Sequence, residues 1–161
     1  MSVNSTINIT MLIALSLLSG AGGAATICSL ATGNVAFGIY DVFNPRSLDT
    51  NSAVLITCTR DGGPQTINVS VSIGPGENSS STASRKMRAP GGDLLDYNLF
   101  QNAGMTSVWG QNPGVDAVTQ TLRIPNKSSV QLSLMIFGRI PAGQDVMKGT
   151  YADNTVVTLT P

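Results

Sequence analysis

Side chains able to do chemistry are sparse in this chain of 161 residues, and it contains no histidine at all. Ser-His-Asp and Cys-His hydrolytic arrangements therefore cannot be assembled, and zinc catalysis loses its usual nitrogen ligand. Acid–base work falls to carboxylates, of which Asp93 and Asp96 form the closest pair. A spacing of three puts them on opposite faces of an extended chain, so they read as solvated residues following the turn Pro90-Gly91-Gly92. Gly20, Gly22 and Gly23 precede no strand–helix unit that would cradle a phosphate. Trp109, the single tryptophan, stands in Ser107-Val108-Trp109-Gly110 as either a sugar-stacking platform or a core or edge aromatic. Five Asn-X-Ser/Thr sites, at Asn4, Asn8, Asn68, Asn78 and Asn126, are what a Ser/Thr/Asn-rich composition generates by chance. The expectation is a protein without catalytic residues, metal or cofactor.

The two cysteines, Cys28 and Cys58, are too few for a Cys-only metal site. In an exported chain they read as one disulfide, closing a loop of about 31 residues and stabilising the fold by roughly 3–4 kcal/mol. Export is indicated by the N-terminus. The apolar run Met11 to Leu18 is followed by the small residues Ser19-Gly20-Ala21-Gly22-Gly23-Ala24-Ala25, the pattern of a signal peptide cleaved after Ala24 or Ala25. The run is far short of the roughly 20 residues of a membrane span, so no membrane insertion is expected after cleavage. A second reading stays open: Val3, Ile7, Ile9, Met11, Ile13, Leu15 and Leu17 all fall on odd positions, as in a long first strand. Lys plus Arg equals Asp plus Glu at nine each, and only 11% of residues are charged, so no field exists to grip nucleic acid.

Whatever these side chains do, strands must position them. After residue 33 the apolar segments alternate with period two: Val35, Phe37 and Ile39; Val54, Ile56 and Cys58; Ile67, Val69, Val71 and Ile73. Further strands are expected at Leu95 to Phe100, Val118 to Ile124, Val130 to Phe137 and Thr155 to Thr160. Gly- and Pro-containing turns separate them, and the Ser-rich stretch Glu77 to Ser84 reads as an exposed loop. No helical stripe and no internal repeat intervene. The expected fold is all-β, a two-sheet sandwich of immunoglobulin type.

Several ordered blocks resemble the spore coat protein U domain family, whose members include pilins of archaic chaperone-usher pili. They are Cys28-Ser29; Val35 to Asp41 with Phe37, Gly38 and Tyr40; Cys58; Arg85-Lys86-Met87; Gly91 to Phe100 with Tyr97, Asn98 and Leu99; Val108-Trp109-Gly110; Gly138-Arg139-Ile140-Pro141-Ala142-Gly143-Gln144; and Gly149 to Asp153 with Tyr151. The resemblance spans residues 26 to 160. It implies an immunoglobulin-like sandwich lacking one strand, supplied first by a periplasmic chaperone and then by a neighbouring subunit. It also implies an outer-membrane usher and other pilus subunits as partners, and a route through the periplasm to the cell surface. The motif residues are then structural: Gly38 permits a special backbone conformation, Ile140 to Gly143 form a turn, Tyr151 anchors the last strand, and Arg139 is a solvated or locally paired charge or a partner contact. The chain is expected to divide into a signal peptide, 1–25, and the sandwich domain, 26–161. Cleavage after Ala25 leaves only Thr26-Ile27 before Cys28, too little to donate a strand. That favours a terminal or accessory subunit assembled by strand complementation; a self-contained spore-coat or matrix protein and a tip adhesin binding a surface or glycan are the alternatives.

Overall fold

Alternating side chains over short spans dictate strands. The computed structural model describes residues 2–12 and 24–161, which contain ten strands and no helix. They are β1 (Ser2–Leu12), β2 (Thr26–Thr32), β3 (Val35–Asp41), β4 (Leu48–Arg60), β5 (Gln65–Ile73), β6 (Arg85–Arg88), β7 (Leu94–Phe100), β8 (Val118–Ile124), β9 (Ser129–Ile140) and β10 (Thr150–Thr160).

One sheet runs β2–β4–β9 and ends on the second half of β7, where Asn98, Leu99 and Phe100 pair with Arg139, Gly138 and Phe137. The other runs β3–β1–β10; the far edge of β10 is shared by β6 and β5, with β8 beyond β5. The first half of β7 pairs with β6, so β7 crosses from one sheet to the other and ties them together. This is the expected two-sheet, immunoglobulin-like sandwich. Its single core collects inward residues of both sheets, among them Val54, Ile56, Val71, Ile73, Leu95, Leu99, Ile136 and Val157.

Cys28 and Cys58 stand opposite each other on β2 and β4 and are disulfide-bonded, both in the core. The strands at 54–58 and 130–137 are longer than their apolar cores suggest. β4 begins at Leu48, and its polar stretch Asp49 to Ser52 is held extended by in-register pairing with β9 from Arg139 to Ile136. β10 likewise begins at Thr150 and not at Thr155, with Asp153 and Thr155 as inward polar residues.

At the N-terminus the described residues follow the second of the two sequence readings, a first strand. Residues 2–12, expected to be part of a signal peptide, form β1 and lie between β3 and β10. The apolar and small-residue stretch at 13–23 lies outside the described residues. Residues 26–161 supply nine of the ten strands, β2 to β10, and without β1 that span has an open slot between β3 and β10. No helix among the described residues is long and apolar enough to cross a membrane.

Candidate functional site

The slot has two backbone walls. On the β10 side, β1 runs parallel in nine consecutive pairs, from Asn4 opposite Thr150 to Leu12 opposite Thr158, and the Asn4 N–H donates to Gly149 O at 3.2 Å. On the β3 side it runs antiparallel, from Ser2 opposite Asp41 to Ile7 opposite Val35. That ladder skips one residue: Ser5 faces Gly38 and Thr6 faces Ala36, leaving Phe37 as an extra β3 residue. Such a bulge needs a residue that tolerates an unusual backbone, and Gly38 sits at φ +79°. Phe37 turns inward, meets Tyr97 edge-on at 6.0 Å, and fills the space where a Cβ on Gly138 would lie 2.8 Å from Phe37 Cζ.

Among the described side chains of β1, Ser5 and Ile7 are wholly buried, each with no exposed surface. Burial of an Ile side chain is worth about 1.5–3 kcal/mol. Ser5 is a weaker filler, because its hydroxyl donates only to the thioether of Met87 on β6, Oγ to Sδ 2.8 Å, and a thioether is a poor acceptor.

Behind β10 a buried polar network fixes the wall. Asp153 accepts hydrogen bonds from Tyr97 Oη at 2.7 Å, Asn78 Nδ2 at 2.9 Å and the Glu77 N–H at 3.1 Å. Gly76 at φ +92° makes room for it; a Cβ there would lie 2.0 Å from Asp153 Oδ2. Burial first, and the Asp153 carboxyl second, push Tyr97 well above the usual phenol range, so it stays a donor. The Ser-rich stretch expected to be an exposed loop is therefore tethered to β10 at its start.

Arg85, with no exposed surface, donates to Gly74 O, Thr82 O, Ile73 O, Trp109 O and Asn98 Oδ1 at 2.7–3.3 Å. Burial draws its guanidinium down to about 10, still charged at neutral pH, and five acceptors take its five N–H directions. Trp109 is 1% exposed, and its Nε1 donates to Val71 O at 2.8 Å, so it presents no open ring face to a sugar. Gly110 leaves space for Asp116; a Cβ would lie 2.1 Å from Asp116 Oδ2.

Of the remaining motif residues, Tyr40 on β3 and Tyr151 on β10 border the Ser2 end of β1. Tyr40 Oη donates to Pro141 O and accepts from the Gln144 N–H, both at 3.0 Å, clasping the turn after the buried Ile140, where Gly143 lies at φ +76°. The Gln144 side chain spans to Asp96 N and O at 2.7 and 2.9 Å. Tyr151 Oη lies 2.8 Å from Asp93 Oδ2 and 2.9 Å from Met147 O; burial, then the Asp93 contact, push it up to about 12. Asp93, read from sequence as solvated, also accepts from the Met147 N–H, and these two donors hold its carboxyl below the usual range. Asp96 instead pairs with Lys86. Arg139 makes a two-pronged pair with Asp49, Nε to Oδ1 2.7 Å and Nη2 to Oδ2 2.8 Å, both side chains being partly exposed.

None of these groups forms an acid–base or nucleophile constellation, and no cluster of potential metal ligands occurs among the described residues. What the arrangement can do is hold an extended segment. The sequence marked Arg85 and Met87 only as members of a family block and residues 2–12 as part of a signal peptide, with the odd-position apolar pattern as the one signal of β1.

A family model of the Spore Coat Protein U domain matches residues 16–158, a span that begins after β1 ends. Among curated proteins, Protein U of Myxococcus xanthus is 29% identical over 153 residues, covering 86% of this chain and 78% of that one. Among solved structures, the minor tip subunit HdaB of the E. coli Hda pilus aligns over 84% of this chain and 82% of that one, at 14% identity and a TM-score of 0.35, a level at which nothing transfers.

Proposed function

The chain belongs to the spore coat protein U domain family, and on that premise we propose that it is a structural, non-catalytic subunit of a bacterial surface assembly that binds its neighbours by accepting a strand between β3 and β10. The observation carrying this reading is the slot itself: two facing backbone edges over a core, closed by a segment that lies ahead of the family span. An inserted strand gains backbone hydrogen bonds on both sides and buries alternate side chains, the physics of strand addition. Residues 1–25 act as the export signal, and the domain 26–161 carries the motif residues as scaffold. The partners are a periplasmic chaperone, an outer-membrane usher and further pilus subunits, the last two at the cell surface. Within the assembly the role is that of a terminal or accessory subunit.

A second reading draws on β1. Because Ser2–Leu12 completes the sandwich in cis, a chain that keeps this segment is a self-contained coat or matrix protein. Recovery of the exported protein, N-terminal sequencing and hydrogen exchange separate the two. A start at Ala25 or Thr26 with β3 and β10 amides protected only in a chaperone complex supports strand acceptance. A start ahead of β1, in a monomer whose β3 and β10 amides are protected alone, overturns it in favour of the self-contained form.

A further inference from the structure

On the outer face of the sheet, away from the core, β10 and β5 form a cleft of about 410 Å³, within the range of about 300–1,000 Å³ that small-ligand sites occupy. Its floor is the outward side of β10 at Asn154, Val156 and Thr158 and of β5 at Ser72, and its rim is the segment 74–77 with Gln111. The rim is pinned to β10. The Gly74 N–H donates to Val156 O at 2.9 Å, the Glu77 N–H to Asn154 O at 3.0 Å, Thr155 Oγ1 to Gly74 O at 2.9 Å and Asn154 Nδ2 to Glu77 Oε2 at 2.9 Å. A site held in this way has its shape before a ligand arrives.

The lining decides the ligand. Ser72, Thr158 and Gln111 have no hydrogen-bond partner among the described residues, so two hydroxyls and an amide stand ready to donate and accept. Pro75 and Val156, the latter 37% exposed, add apolar surface between them. Among the described residues Glu77 is the only ionisable group in the lining, and its carboxylate already holds the Asn154 amide. An anion finds no counter-charge here. What fits is a neutral polyol with apolar C–H faces. The same outer face carries the pattern onward from the cleft: Thr160 lies opposite Ser70, Ser70 opposite Thr119, and Asn68 opposite Thr121. These short polar side chains stand about 4.8 Å apart across the strands and about 7 Å apart along them. We propose that the cleft and these rows are a binding site for a neutral oligosaccharide, the cleft taking one or two sugar rings and the rows those that follow. The site does not rest on the strand-acceptor reading, because it lies on the opposite side of the sheet from the core.

Amide NMR of the isotope-labelled full chain tests the proposal. The probes are neutral trisaccharides built on glucose, mannose, galactose or N-acetylglucosamine, with sialyllactose as the anionic probe and tetra-alanine as the peptide probe. At least one neutral trisaccharide is expected to shift amides confined to 72–77, 111 and 154–158, and to bind roughly tenfold more tightly than sialyllactose or tetra-alanine. Ser72→Ala combined with Gln111→Ala is expected to weaken that binding roughly tenfold. Gln131→Ala, on the outer face of the other sheet, is expected to leave it unchanged. Melting temperatures confirm that each variant is folded, and Thr158→Val, which exchanges a hydroxyl for a methyl of like shape, replaces the double variant if that one melts early. No shift with any neutral trisaccharide at about 10 mM, shifts scattered away from the cleft, equal binding of sialyllactose or tetra-alanine, or full binding by the folded cleft variant overturns the proposal.

Discussion

The sheet carrying β2, β4 and β9 and the sheet carrying β3, β1 and β10 close the same core in opposite ways. In the first, β2 is welded to β4 by the Cys28–Cys58 bond, and β4 and β9 pair without interruption over twelve positions, from Leu48–Ile140 to Thr59–Ser129. In the second, the central strand carries no covalent bond to its neighbours, one of its ladders is broken by a bulge, and one of its two described buried side chains is a serine. The first sheet is locked by a covalent bond, whereas the second is held at its centre by backbone pairing and side-chain contacts.

That contrast can be broken most forcefully at the disulfide. Cys28→Ser with Cys58→Ser is expected to lower the unfolding free energy by roughly 3–4 kcal/mol, read from urea denaturation of the full chain. A loss below about 1 kcal/mol would mean that the β4–β9 ladder alone makes this sheet permanent. Next, Ile7→Ala in the full chain is expected to cost about 2 kcal/mol, the low end for a buried Ile. The cost saturates because β1 can detach instead of sustaining a cavity, and hydrogen exchange should then rise at β3 and β10 but not at β4 and β9. Uniform acceleration across both sheets would erase the distinction. Ser5→Ala is expected to act in the opposite direction, stabilising the full chain by about 1 kcal/mol as the poorly satisfied hydroxyl is removed; a loss of stability would show that the Met87 contact holds β1 in place.

The smallest effect concerns acid. The Met147 N–H and the Tyr151 hydroxyl hold the Asp93 carboxyl below its ordinary 3.8, so protons bind the unfolded chain more readily than the folded one. Its contribution is therefore fully present above the ordinary value and fades as pH falls through the lower folded value. Asp93→Asn should lower stability at neutral pH and flatten the decline below about pH 4, seen in urea midpoints collected across the acid range. An unchanged acid slope would assign that decline to other carboxylates, such as Asp49 beside Arg139, which is shifted in the same direction.

Much of the fold was legible because a half-buried strand writes itself as alternation. Val69, Val71 and Ile73 are buried just as their spacing with Asn68, Ser70 and Ser72 requires, and Cys58 faces inward with Val54 and Ile56. β6 was missed because Arg85-Lys86-Met87-Arg88 alternates in burial but not in hydrophobicity. Its inward arginine is satisfied by carbonyls from residues 73, 74, 82 and 109, which no local pattern can announce. Asp93 looked solvated because its donors, Met147 and Tyr151, lie more than fifty positions away. The N-terminus was ambiguous for a deeper reason: an apolar stretch that suits a translocation signal also suits the centre of a sheet. The family resemblance implied a missing strand but not that its place lies between β3 and β10, and the segment seated there lies outside the matched span.

The parallel alignment of β1 with β10 also has a mechanical meaning. Ser2 lies toward the Thr150 end and Leu12 toward the Thr158 end, so tension applied along the strand axis loads the whole ladder in shear. Hydrogen bonds sheared together must rupture nearly at once, whereas a hairpin pulled from its open end unzips one pair at a time. Resistance to a pulling force is governed by the rupture rate and not by the equilibrium free energy. A strand held by a ladder of modest equilibrium strength can thus still be hard to drag out lengthwise.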